Sequence, residues 1–261
     1  MRLAYFLLLC LLLGGCGQPG GSASNSGAAP QFDARAAELT KKKESLVRFY
    51  RPMQVREGDW LESHPENGET FEEYIRSNPT LPTAERDTIY IQPVGTFSVE
   101  QRTVISHVAD YMRAFYNLPV TLRTPRPLGD VPEEMQRVQY PRNRQIRTSY
   151  FIDDLLPKLL PKDAAALICL TNYDLYPEDT WNYVFGQANL ETRVGVWSLW
   201  RLERENGKKA SSDLLLARTL KVALHETGHM FSMRHCTKYE CLMSGTNHLG
   251  ETDRRPHDTC P

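Results

Sequence analysis

Residues 225–236 read HETGHMFSMRHC, which places three histidines, one glutamate and one cysteine within twelve positions. A helix turns about 100° per residue, so His225 and His229 fall on one face, one turn apart. Two imidazoles at that spacing can bind one Zn2+ at about 2.0–2.1 Å. Glu226 rotates toward the open metal position, where a carboxylate can take a proton from an activated water and return it to a leaving amine. His235 lies six residues beyond His229. A continuing helix would carry it away, so the chain must bend after Phe231 to bring it back. Three neutral imidazoles then leave a fourth position for water, the open site of a catalytic zinc rather than the closed site of a structural one. The competing reading is a helix C-terminus whose exposed histidines are favoured by the dipole. HExxH alone is expected by chance in roughly one chain of this size in a hundred, and a third histidine at the right distance is rarer still.

The elements that must position these residues follow from periodicity. Leu216, Leu220, Ala223, Leu224 and Phe231 would pin a helix from Asp213 to about Phe231, with Ser212 as its cap. Upstream, TIYIQPVG from residue 88 reads as a strand, and Ser98 precedes a run with helical spacing from Val104 to Phe115. VTLRT reads as a short strand, the Pro- and Arg-rich residues 125–147 as a surface loop, and 148–160 as a helix. AAALICLT is a buried strand with Cys169 as a core thiol, and VGVWSLWR is a further strand. The order β-α-β-loop-α-β-loop-β-α predicts an α/β fold whose sheet is covered by helices. A catalytic domain is expected over 87–261. Residues 33–86 form a helical extension, charged and amphipathic over 33–50, with a short helix at TFEEYIRS and no assigned chemistry.

The net charge of -1 gives no sign of a nucleic-acid partner. Arg2 followed by an apolar run from Leu3 to Leu13 and then small residues is the layout of a signal peptide, 1–16. Leu13-Gly14-Gly15-Cys16 is similar to a bacterial lipobox, with Cys16 as the lipidated residue; the alternative is a plain signal with a chance cysteine. The Gly/Ser/Ala-rich stretch over 17–32 reads as a flexible linker. The expectation is an exported, membrane-anchored lipoprotein, monomeric for want of any oligomerisation signal.

HETGHMFSMRH resembles the metzincin signature HExxHxxGxxH. Metzincins are zinc endopeptidases with a methionine in a tight turn beneath the metal, and CLMSG would place Met243 there. After His235, the spacing of Cys236, Cys241, Met243 and Cys260 resembles the archaemetzincin pattern C-x4-C-x-M, spacer, C-x-x-C. DLYPEDTWNYVFGQA and NHLGETDRRPHDTCP are also similar to members of that family, over roughly residues 86–261. HPENGETFEEYIRSNPTLP resembles its longer members more weakly. The resemblance implies a compact metzincin-like domain with a mixed twisted sheet, and peptide-bond hydrolysis with Glu226 as base and acid. It also implies a catalytic zinc on His225, His229 and His235 and a second, structural zinc on Cys236, Cys241 and Cys260. VGVWSLWR is the expected sheet edge for substrate pairing.

Two positions depart from the pattern. Ser232 stands where the family has glycine, and a serine at positive φ costs about 1 kcal/mol. Three of the family's four cysteines fall within the sequence. The competing reading for Cys236 and Cys241 is a disulfide. The competing functions are a catalytically inactive lipid-anchored zinc-binding module and, more weakly, a metal scavenger.

Overall fold

The computed structural model of the chain describes residues 37–38, 41–139, 143–205 and 207–261. The expected signal segment with Cys16 and the linker to residue 32 lie outside the described residues. The chain divides into two units at Ser45 and Leu46. In the first, residues 37–38 and 41–45 are helical, and Lys42 pairs with Glu38 at 2.7 Å. The second, Leu46–Pro261, contains all that follows.

Two short helices come first, Trp60–Ser63 (α1) and Phe71–Arg76 (α2). The second starts on a capping box: the Thr70 hydroxyl accepts from the Glu73 N–H, and the Glu73 carboxylate accepts from the Thr70 N–H. Thr88–Val94 (β1) then opens the sheet, followed by Val99–Tyr116 (α3), capped by Ser98 as expected, and Val120–Leu122 (β2). Gln136–Gln139 (β3) and Asn143–Arg147 (β4) pair antiparallel. A π-helical turn, Tyr150–Leu155, runs into Leu156–Leu159 (α4). Ala164–Thr171 (β5), Asp174–Tyr176 (β6), Gly186–Ala188 (β7) and Val194–Ser198 (β8) precede the long helix Ser212–Met230 (α5) and the last helix, Leu249–Arg254 (α6).

The main sheet has the order β2-β1-β5-β8-β7, parallel throughout except for β7, which runs antiparallel to β8. Both of its faces are covered, which explains why β5 reads as one uninterrupted apolar run. Its alternate residues divide between two cores. Ala166, Ile168 and Leu170 pack with α3 and α5, while Leu167 and Cys169 pack with Phe151 and Leu156 on the other face.

Three expectations are corrected. Residues 125–147 are not all loop, because they contain the β3–β4 hairpin. Its strands are built of Gln and Arg with only Gln145 and Ile146 fully buried, so no apolar alternation marks them. VGVWSLWR is not the sheet edge. All five residues of β8 are buried, with the Trp197 side chain sealed from solvent, and β7 lies outside it. The helix cap is Ser211 rather than Ser212, its hydroxyl accepting from the Leu214 N–H at 3.2 Å.

Candidate metal centre

The helix α5 is fixed to the sheet through Leu215, Ala223, Leu224 and Met230, all essentially sealed from solvent. This leaves His225 and His229 on the opposite side, at the wall of a cavity of about 550 Å3. The helix ends in a Schellman motif. The Ser232 N–H donates to the His229 carbonyl at 2.8 Å and the Met233 N–H to the Gly228 carbonyl at 3.1 Å. Ser232 takes the left-handed conformation this requires, with φ of 66°. Its hydroxyl accepts from the Thr80 N–H at 3.0 Å and donates to the Leu190 carbonyl at 2.7 Å. The reversal returns His235 to the other two histidines.

The ring centroids lie 4.5 Å apart for His225 and His229, 5.2 Å for His225 and His235, and 5.0 Å for His229 and His235. Each Nδ1 faces an oxygen acceptor: the Leu242 carbonyl at 2.9 Å for His225, the Met233 carbonyl at 2.6 Å for His229, and both Glu66 carboxylate oxygens at 2.9 Å for His235. Such partners fix the proton on Nδ1 and leave a lone pair on Nε2. The Nε2 atoms of His225 and His229 then face each other at 3.0 Å. Two lone pairs at that distance repel unless a cation lies between their owners, so the donor set fits a metal ion. Burial, followed by the charge of the neighbouring imidazoles, holds His225 well below the usual histidine range. Burial likewise lowers His229, to about 4. Both imidazoles are therefore neutral at pH 7, the form that can bind a metal without competition from protons.

Glu226 lines the same cavity and is 6% exposed. Burial pushes its carboxyl up to about 8. Its side chain lies against Gly186 of β7, so closely that a Cβ there would sit 2.6 Å from Oε1. A residue with a side chain at position 186 would displace the carboxylate. The edge strand β7 and the glutamate thus share one wall, and Gln187 and Ala188 continue it.

Cys236, directly after His235, turns the other way. Its sulfur and those of Cys241 and Cys260 all lie within 4.8 Å of one another, and all three are free thiols. The Cys241 sulfur accepts N–H groups from Cys260 at 3.2 Å and Met243 at 3.4 Å. Hydrogen bonds from the Cys241 and Cys260 thiols hold Cys236 well below the usual thiol range and raise their own. One negative charge shared among three sulfurs suits a soft cation. Between the two clusters a turn closes from the Ser244 N–H to the Cys241 carbonyl at 3.1 Å. It places Met243 under α5 at Gly228, where a Cβ would meet its sulfur at 2.5 Å.

The sequence singles out His225, Glu226, His229, His235, Met243 and the three cysteines, but neither β7 with Gly186 nor the partners supplied by 46–86. Glu66 holds His235, and the Trp60 indole N–H donates to Glu66. Burial alone would raise the Glu66 carboxyl, but hydrogen bonds from His235 and Trp60 reverse the sign and hold it low. The α1 segment is docked by the Trp60 N–H on Glu251 at 3.0 Å and by Arg254 on Asp59 at 2.6 Å. His64 stacks on Trp60 at 3.9 Å and lies 5.3 Å from Trp181, completing an aromatic wall. No spacing or periodicity in HPENG marks Glu66 as anything but a loop carboxylate.

The profile of Peptidase family M54 matches residues 133–261. Archaemetzincin-2 of Macaca fascicularis is 35% identical over 235 residues, covering 78% of this chain, and the chain spans 65% of that relative's length. Archaemetzincin of Thermococcus kodakarensis is 31% identical over 177 residues, covering 66% of this chain and 91% of that protein. Among solved structures, archaemetzincin of Archaeoglobus fulgidus, complexed with malonate, superposes with a TM-score of 0.51 at 27% identity, covering 66% of this chain and 95% of that one. Fold, profile and relatives point the same way: the chain belongs to the archaemetzincin family.

Proposed function

We propose that this protein is a zinc metallopeptidase that hydrolyses peptide bonds, with Glu226 as its proton carrier. The observation that carries the reading is the convergence of three imidazoles, each with its Nδ1 committed to an acceptor, beside a buried carboxylate on the wall of an open cavity. His225, His229 and His235 would hold the ion. Zinc, when bound, supplies Lewis acidity for the scissile carbonyl and lowers the pKa of water. The chain's own residues do the rest. The outer edge of β7 offers backbone groups to an extended peptide by strand addition. Glu226, beside Gly186 of that strand, takes a proton from the attacking water and delivers it to the leaving amine. A carboxyl raised toward neutrality suits both transfers.

The three cysteines are proposed to hold a second, structural zinc. Their convergence as free thiols and the N–H donors on Cys241 support this over a disulfide. Attachment through Cys16 is proposed from the sequence of residues 1–16, and metabolic lipid labelling that is lost in Cys16→Ala tests it.

The decisive experiment pairs elemental zinc analysis with digestion of a peptide panel by the zinc-loaded protein. Cleavage that disappears in Glu226→Gln while zinc content is retained is the expected result. Zinc content at full stoichiometry with no cleavage by the wild type would replace this reading with that of a zinc-binding module.

A further inference from the structure

The cavity reaches beyond the histidines. Lys221 precedes His225 by four residues on α5, so the two share a helix face about 6 Å apart along the axis, and both line the cavity. Lys221 is 8% exposed. Its ammonium donates to the backbone carbonyls of Thr252 at 3.1 Å and Asp253 at 3.0 Å, at the C-terminal end of α6. An ammonium carries three N–H donors, so one remains.

The surrounding charges are matched without it. Arg218 engages both Asp253 carboxylate oxygens, at 2.7 and 2.6 Å. Arg255 pairs with Glu251 at 2.6 Å and with Glu240. Among the described residues no carboxylate forms an ion pair with Lys221. Glu226 is five residues on, about 140° round the helix, and lies against Gly186. Burial accordingly pushes the Lys221 ammonium below its usual range. The nearby Asp253 carboxylate opposes that shift, but it is held by Arg218 and the direct partners of the ammonium are neutral carbonyls, so an anionic ligand that reaches the buried cation recovers part of its cost.

We propose that Lys221 forms the floor of a subsite for a carboxylate side chain, so that the substrate is a peptide with an acidic residue flanking the scissile bond. Lys221 and His225 line the same cavity from successive turns of α5, so an acidic side chain beside the scissile bond is what the remaining donor can take. This inference rests on the peptidase reading, but its test does not need turnover.

The probes are zinc-directed peptide hydroxamates that differ only in the side chain next to the hydroxamate, carboxyethyl or carbamoylethyl, made in both chain directions. Their Kd is measured by calorimetry on the zinc-loaded protein. The wild type should bind the carboxylate at least about tenfold more tightly in one chain direction. Lys221→Arg should keep a preference, Lys221→Met should reduce it to within about twofold, and Lys221→Glu should invert it. A purely structural role of Lys221 at the end of α6 could weaken all ligands together but not invert the order. Equal affinities in the wild type, a comparison that requires no variant to fold, would overturn the proposal, as would a preference that survives Lys221→Met. Absence of cleavage of any peptide would sink the peptidase reading and leave this charge preference standing.

Discussion

His225 and His229 reach the centre on a 19-residue helix, whereas His235 reaches it on a loop, and the two arrivals are secured differently. The helix pair needs only periodicity and a core-facing stripe, and its outer partners are backbone carbonyls of Leu242 and Met233. The loop histidine sits in an assembled cradle. Tyr74 donates to the Phe231 carbonyl at 2.8 Å, Thr80 to Ser232, Arg234 to Glu69 at 2.6 Å, and His235 to Glu66. All four contacts come from residues 66–80, more than 150 positions away in the chain. A ligand on regular structure is positioned by the fold, and a ligand on a loop must be positioned by something brought to it.

Removing a helix ligand should have the largest effect. His229→Ala should lower the zinc content by one ion per chain, leave the cysteine cluster loaded, and reduce peptide hydrolysis by at least about a thousandfold, because both the Lewis acid and the site for water go with it. Elemental analysis beside a peptide assay measures this. An unchanged zinc content would mean that His225 and His235 suffice and that the helix pair is not the anchor.

Next comes Glu226→Gln, which bears on what the helix side costs. The folded carboxyl is raised to about 8 from an ordinary value of 4.5. A raised carboxyl favours the folded state below the unfolded pKa, and that contribution is lost as pH rises through the folded one. In metal-free protein, the wild type should therefore lose stability relative to Glu226→Gln between pH 4.5 and about 8. A gap on the order of 5 kcal/mol is expected at the upper end. Denaturant titrations of both proteins at pH 5 and pH 8.5 read it out, and a gap that does not widen with pH would show that Glu226 is not held protonated by burial.

Glu66→Ala tests the cradle directly. Losing a carboxylate partner of a metal-bound histidine costs about 10–100-fold in metal affinity. Competition with a chromophoric chelator should show a loss in that range at the histidine site only. Glu66→Gln, which keeps an acceptor without the charge, should fall between. An unchanged affinity would mean that the loop ligand is as self-sufficient as the helix pair.

The same contrast sorts what could be read from the sequence. The apolar run of β5, the Ser98-capped helix and the candidate site residues of HETGHMFSMRHC with Cys241, Met243 and Cys260 all carry local signals, because each depends on residue type at a fixed spacing. β7 carried none. Three residues, GQA, make the sheet edge, with a glycine where Glu226 needs the space and no β-branched side chain to announce a strand. The β3–β4 hairpin was hidden by its Arg and Gln content. Glu66 was invisible because its meaning comes from His235, 169 residues later. Lys221 could be placed on the helix face from its spacing, yet only the packing of α6 shows that its neighbours are paired and it is not.

The smallest effect belongs to Ser232, where two terms oppose each other. The left-handed conformation costs a serine about 1 kcal/mol that glycine would not incur. Its hydroxyl makes two hydrogen bonds, each contributing about 0.5–1.5 kcal/mol, and one of them satisfies the Thr80 N–H of the cradle. Ser232→Gly should therefore be close to neutral for stability, because relief of strain offsets both lost bonds. Ser232→Ala keeps the strain and loses the bonds, and should cost about 1–2 kcal/mol with a matching loss of zinc retention at the histidine site. Equilibrium unfolding of the two variants side by side decides between the terms. If glycine were as damaging as alanine, the hydroxyl would be the larger contributor, and position 232 would act in this chain as a tether between α5 and the 66–80 segment rather than as a tolerated substitute in the turn.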